Sequence, residues 1–192
     1  MRIYKCLKNQ VCTIGDFSIV PIRDKDKYLI MNWRNEQIYH LRQNHLLTEL
    51  DQKIYFQEVI NKLFQQEQPS QILYSFLLSG NLIGYGGLVN IDWADKRAEV
   101  SFIIDTSLKK DANKYKHYFA NFLNMIKDVS FNDLNLNKIY SETYQFRVRH
   151  IKILEENGFV KEGRLKQHIF MEQDQRFYDS LLHAFMSDDH IN

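Results

Sequence analysis

The sequence predicts an α+β fold, one domain over residues 1–192 in which helices flank a mixed sheet. Three observations carry that expectation. Apolar residues alternate with a period of two in some runs and recur at helical spacing in others. Turn signals separate the runs at short intervals. The runs follow the order strand, two helices, three strands, helix, strand, helix, two strands, with no repeat, low-complexity tract or compositional break to mark a second domain.

The elements follow in order. Residues 17–23 alternate as a first strand. Asp24 is placed to cap a helix over residues 25–36 that buries Leu29, Ile30 and Trp33. Thr48 opens a second helix, in which Phe56, Val59, Ile60, Leu63 and Phe64 share a face. It stops ahead of Gln68-Pro69, because the residue before a proline resists helix. Residues 72–78 form a compact apolar strand, Ser79-Gly80-Asn81 a hairpin turn, and residues 82–93 a second, long strand. Gly84, Gly86 and Gly87 lie inside that strand, which predicts a bulge or a close approach of ligand or backbone. A third strand, residues 97–105, puts Ala98, Val100, Phe102 and Ile104 on one face and Glu99, Ser101, Ile103 and Asp105 on the other. Residues 106–113 read as a polar loop. Tyr115, Tyr118, Phe119, Phe122, Met125, Ile126 and Val129 then trace one helical face. Residues 138–144 read as a strand, and Val148, Ile151 and Leu154 mark a helix closed by Asn157-Gly158. Residues 159–171 and 176–186 complete the chain as a strand pair.

Composition narrows the class of function. With 13 Phe and 11 Tyr in 192 residues, the chain can bury a sizeable core, which argues against disorder. Lys and Arg number 25 against 24 Asp and Glu, so no global field directs the protein to nucleic acid or to a membrane surface. Cys6 and Cys12 lack the repeated Cys/His pairs of a zinc module, and His40 and His45 have no carboxylate third ligand, so no metal site is expected. The first eight residues carry charges where a signal peptide needs an apolar run, and no stretch reaches the length of a membrane span. A cytoplasmic protein is expected.

A family resemblance rests on particular stretches. Residues 131–139, Phe-Asn-Asp-Leu-Asn-Leu-Asn-Lys-Ile, are followed by Asn157-Gly158-Phe159-Val160-Lys161-Glu162-Gly163. This resembles the end of the central helix, the next strand and the GF-x-x-EG signature of the GNAT acetyltransferases, in the branch that acetylates ribosomal protein N-termini. Asp179 matches a position where that branch commonly has aspartate, and residues 81–88 resemble its glycine-bearing strand. Asn32-Trp33-Arg34-Asn35 looks like the WRN of bacterial nucleotide-sugar N-acetyltransferases.

The resemblance implies a mixed, mostly antiparallel sheet in which one strand pair splays to admit acyl-CoA. It implies acetyl-CoA as donor and direct attack by an amine on the thioester. Its leading acceptor is an amino-sugar nucleotide of surface-polysaccharide synthesis. A protein N-terminus or small amine is the alternative within the class, and a non-catalytic binding module the alternative outside it. Phe102, Ile103 and Ile104 would supply backbone contacts to pantetheine.

The glycines of the family's pyrophosphate loop fall on or near Tyr115 and His117, in the run Asn113-Lys114-Tyr115-Lys116-His117. Three readings stay open: backbone groups assisted by Lys114 and Lys116, charge supplied by Lys109 and Lys110, or a degenerate site. An amine must lose a proton to attack, and Glu99 on the strand beside the gap is the candidate base, with an ion pair to Arg97 or Arg42 as its structural alternative. The family's usual acid, a tyrosine, falls at Leu154, and its CoA-contacting asparagine at Arg147, with the alanine of the same motif at His150. Tyr144 and His168 are the replacement candidates for the acid. Trp33, Arg34, Asn35, Arg42 and Gln43 are candidates for the acceptor pocket, Arg42 as a bidentate partner of a diphosphate; Trp33 reads equally as core and Arg34 as solvated. The last strands offer a surface on which a homodimer would form.

Overall fold

A computed structural model of the chain describes residues 2–190. Its eight strands form one sheet in the order β1-β2-β3-β4-β5-β6-β8-β7. They are β1 (Cys12–Ile14), β2 (Phe17–Pro21), β3 (Ile72–Leu78), β4 (Asn81–Asp92), β5 (Arg97–Ile104), β6 (Lys138–Tyr144), β7 (Val160–Met171) and β8 (Arg176–Met186). Every neighbouring pair is antiparallel except β5 and β6. The helices are α1 (Lys27–Glu36), α2 (Glu49–Tyr55), α3 (Asn61–Leu63), α4 (Thr106–Lys109), α5 (Ala112–Asp128) and α6 (Val148–Glu156). A π turn, Phe56–Ile60, joins α2 to α3 without a break. No helix among the described residues is long and apolar enough to cross a membrane.

The differences from the sequence expectation are local. β1 is too short to show alternation; it exists because the edge of β2 accepts it, Cys12 opposite Ile19. The first helix is not capped by Asp24. Asp26 stands at its N-cap instead, buried, taking hydrogen bonds from Arg23 Nε and Ser75 Oγ at 2.6 Å each. Leu29, expected inside, is exposed, while Ile30 and Trp33 face the core. Residues 106–113 are not a loop throughout. Asp105 accepts from the backbone N–H of Ser107, and Asp111 from those of Asn113 and Lys114, so two helices start there.

The core lies between the sheet and α5. Phe119 and Phe122 meet Phe102 of β5 with ring centroids 4.6 Å apart in both cases, and Phe122 also packs on Phe76 of β3. Two glycines of β4 permit the close approach that the sequence predicted. A Cβ on Gly86 would stand 2.1 Å from the Ser101 carbonyl oxygen, and Gly87 has φ of +146° with Ile72 O as close.

The fork between β5 and β6 positions the site. The two strands pair for only three residues, the last being Glu99 opposite Tyr140. Beyond them β5 continues to Ile104 and β6 to Tyr144, and the strands diverge around a cleft. On the other side of β5, a bulge in β4 between Val89 and Asp92 holds Asn90 at φ +50° and directs its side chain onto Glu99.

Candidate functional site

The cleft has a volume of about 180 Å³ and is walled by both diverging strands and by the segment that follows α1. Glu99, Phe102 and Ile103 of β5, Tyr144 of β6, Arg34 of α1 and Arg42 all line it. Nine further residues line it, among them His40, Ser101, Glu142, Arg147 and His150, which sequence reasoning did not put forward as site residues.

Glu99 is almost fully buried and all its hydrogen bonds have partners. Arg42 Nη1 and Nη2 donate to its two carboxylate oxygens at 3.1 and 2.9 Å, and Asn90 Nδ2 donates to Oε2 at 2.8 Å. Arg42 Nη2 also donates to Glu142 Oε2 at 2.9 Å. Of the two ion-pair alternatives for Glu99, the structure contains the Arg42 pair; Arg97 pairs with Asp92 and Asp95 instead. His168 is exposed and does not line the cleft. Its Nε2 lies 3.7 Å from Glu142 Oε1, so it reaches the site only through that carboxylate. Burial raises the Tyr144 hydroxyl's pKa, partly offset by Arg42, so the phenol keeps its proton at neutral pH. Leu154, where the family has its tyrosine, is fully buried in the core.

The acceptor candidates divide. Arg34 and Arg42 face cavities, Arg34 held by Tyr85 Oη at 2.6 Å and by Gln43 Oε1 at 3.0 Å. Trp33 is core. Asn35 and Gln43 do not line the cleft; they pin the segment that carries Arg42. Asn35 donates to Leu47 O and accepts from Leu47 N, both at 2.8 Å, and also accepts from Gln43 Nε2 at 3.0 Å.

A second cavity of about 340 Å³ adjoins the first through His40, Arg147 and His150. It is lined by Lys109, Arg147 and Arg149 and by no carboxylate. The helix behind it, α6, has no side-chain cap on its first turn. Unpaired N–H groups at a helix start favour an anion. Burial and then Arg147 lower Lys109 to a pKa of about 8. Burial, Arg147 and Lys109 together lower His40 to about 2. Among the described residues, no carboxylate lines this cluster of positive charge. The residues therefore fit the phosphates of CoA.

The start of α5 does not fit them, because the Asp111 carboxylate already holds the N–H groups of Asn113 and Lys114. Of the run 113–117, only Tyr115 lines the cavity, its hydroxyl 2.8 Å from His150 Nδ1; of the alternative pair, Lys109 lines it and Lys110 does not. Lys114 is exposed, Lys116 pairs with Glu156, and His117 packs edge-on against Phe17; none of the three lines either cavity. The reason is helical phase: Tyr115 and Phe119 point to β5, which turns residues 114, 116 and 117 away. Ile104 also stays out of both cavities, and its carbonyl accepts from Gln37 Nε2 at 2.8 Å. Arg147 and Arg149 carried one signal in the sequence, two cations alternating at the start of a helix.

The spermidine N(1)-acetyltransferase of Vibrio cholerae serotype O1 is 33% identical over 91 residues, a match that spans 47% of this chain and 50% of that protein. The chain thus aligns with about half the length of that relative. The crystal structure of spermidine N-acetyltransferase from Vibrio cholerae in complex with CoA and spermine superposes with a TM-score of 0.80 at 21% identity, covering 92% of this chain and 99% of that one. A dodecameric structure of the Vibrio cholerae enzyme in an intermediate state gives 0.74 at 23% identity, over 92% and 97%. These two likenesses are of fold. The model of the acetyltransferase (GNAT) domain matches residues 19–182, and the chain belongs to that family.

Proposed function

We propose that this chain transfers an acetyl group from acetyl-CoA to a primary amine of a small cationic acceptor, with spermidine as the first acceptor to test. The fork at Glu99 carries the reading. It places a buried carboxylate where an unpaired strand edge meets a cavity whose outer part is cationic. Lys109, Arg147, Arg149 and the first turn of α6 hold the phosphates, and the free edge of β5 at Phe102 and Ile103 lies along the donor's arm. Glu99 takes the proton that the amine releases. The amine nitrogen forms a bond to the acyl carbon, the carbon–sulfur bond breaks, and Tyr144 supplies a proton to the departing sulfur.

The small-amine acceptor replaces the amino-sugar nucleotide as the leading substrate. The related enzymes named above act on spermidine. Arg42, which the nucleotide-sugar reading needed for a diphosphate, has its guanidinium committed to Glu99 and Glu142. Glu99 and Glu142, which already share one cation, offer carboxylate oxygens to an ammonium group.

The experiment is thiol release from acetyl-CoA in the presence of spermidine, of an amino-sugar nucleotide, and of neither. Turnover with spermidine above the blank is expected. Turnover with the nucleotide-sugar alone would overturn the acceptor class. No release with either, together with no binding of acetyl-CoA, would make the chain a non-catalytic module.

A further inference from the structure

Arg42 fills the place where the acceptor amine has to sit. Its guanidinium lies between Glu99 of β5 and Glu142 of β6, 2.9 Å from each, on the two sides of the fork. The two carboxylate side chains are only 10% and 15% exposed, whereas that of Arg42 is 51% exposed. The cation is therefore the replaceable member. It belongs to the segment after α1, which Asn35 and Gln43 hold by side-chain hydrogen bonds rather than by a strand ladder. One guanidinium in contact with two carboxylates leaves one negative charge at the carboxylate pair, while Arg34 and Arg147 line the same cleft. His168, 3.7 Å from Glu142, offsets it only when protonated.

Two neighbouring carboxylates out of water need a cation. Arg42 is that cation in this structure, and it engages both oxygens of Glu99. While it does so, the guanidinium stands between Glu99 and an arriving amine. We propose that Arg42 is a positioning residue that occupies the acceptor's ammonium site, and that a cationic amine of the acceptor displaces it from Glu99 and Glu142. This rests on the reading of the chain as a small-amine acetyltransferase and adds two things to it. Proton acceptance by Glu99 is coupled to arrival of the acceptor. Acceptors with two amino groups are favoured over monoamines, because one amine stays charged beside Glu142 while the other loses its proton to Glu99. The cost of the exchange is small, since the half-exposed guanidinium returns to water as the ammonium leaves it.

Two measurements test the displacement. In the wild-type protein labelled with 15N-arginine, the Nε–H resonance of Arg42, assigned by its loss in Arg42→Lys, is followed by NMR during titration with spermidine. It is expected to move to the position of a solvated arginine. In steady-state kinetics Arg42→Ala is expected to lower the spermidine KM about tenfold, the gain when an internal competitor that fills about nine-tenths of the sites is removed. Arg42→Lys is expected to restore the higher KM. A merely structural role would raise KM in Arg42→Ala. An Arg42 resonance unmoved by millimolar spermidine, or a raised KM in Arg42→Ala, overturns the proposal. The NMR titration needs no turnover. Release of thiol by the wild-type protein with an unmoved Arg42 signal therefore sinks this inference and leaves the function standing. Displacement without thiol release supports the cation site and overturns acetyl transfer to spermidine.

Discussion

Acetyl-CoA binding is expected to take up a proton above pH 8, and Lys109 is the group that takes it. Its Nζ lies 2.8 Å from Tyr39 Oη, 2.8 Å from His40 Nε2 and 3.1 Å from Gln37 Oε1, with no carboxylate among these partners. Burial and the charge of Arg147 bring it from the ordinary 10.5 to about 8. A diphosphate in the cavity supplies the missing anion and returns the lysine towards its ordinary value. At pH 7 the free enzyme's Lys109 is already about nine-tenths protonated, so binding takes up roughly 0.1 proton; at pH 9 it is about one-tenth protonated, so uptake approaches roughly 0.9. Because the complex holds the proton, raising the pH opposes binding, and affinity is expected to fall about tenfold between pH 7 and pH 9. The assay is calorimetric titration with acetyl-CoA in two buffers of different ionisation enthalpy; the thioester has no thiol to titrate. Lys109→Met is expected to bind more weakly at pH 7 and to lose both the uptake and the pH dependence. No uptake at pH 9 in the wild-type protein, or the same uptake in Lys109→Met, would refute the placement of the phosphates.

Two further outcomes are expected. Gly86→Ala puts a Cβ 2.1 Å from the Ser101 carbonyl and 2.8 Å from the buried Phe122 ring, neither free to move. The variant is expected to lose about 2–3 kcal/mol in denaturant unfolding, and an unchanged midpoint would show that the strands tolerate more separation than the packing suggests. Asn35→Ala removes the three side-chain hydrogen bonds that pin residues 43 and 47. Trypsin cleavage after Arg42 is expected to accelerate about tenfold or more, from a loss near 1 kcal/mol per bond, and an unaltered rate would mean that the segment is held elsewhere.

Most of the fold was legible because its signals are local. The apolar run of residues 72–78, the strand at 138–144, the turn at Ser79-Gly80-Asn81 and the cap at Asn157-Gly158 are set by neighbours in the chain, and each stands where the sequence places it. What escaped depends on distant partners. β1 forms only because β2 offers an edge, and the Asp26 side chain is buried because Ser75 and Arg23 meet it there. The site was legible in part for the same reason. Glu99, Phe102, Ile103 and Tyr144 line the cleft because strand order puts β5 beside β6, and residues of both faces of β5 reach it where the edge opens beyond Glu99. Lys114, Lys116 and His117 do not, because a family loop was counted onto residues that here belong to a capped helix.

The sequence alone determined most of the element types, the strand that carries Glu99 and the approximate neutrality of the chain, since propensity, periodicity and charge are properties of the residues themselves. The tertiary structure decided that Arg42 neutralises Glu99 and Glu142 across the fork. It also decided that Lys109, from the segment between β5 and α5, shares one cavity with Arg147 and Arg149, from the start of α6. Those groups lie far apart along the chain, and only the divergence of β5 from β6 brings opposite charges into one cleft and like charges to its mouth.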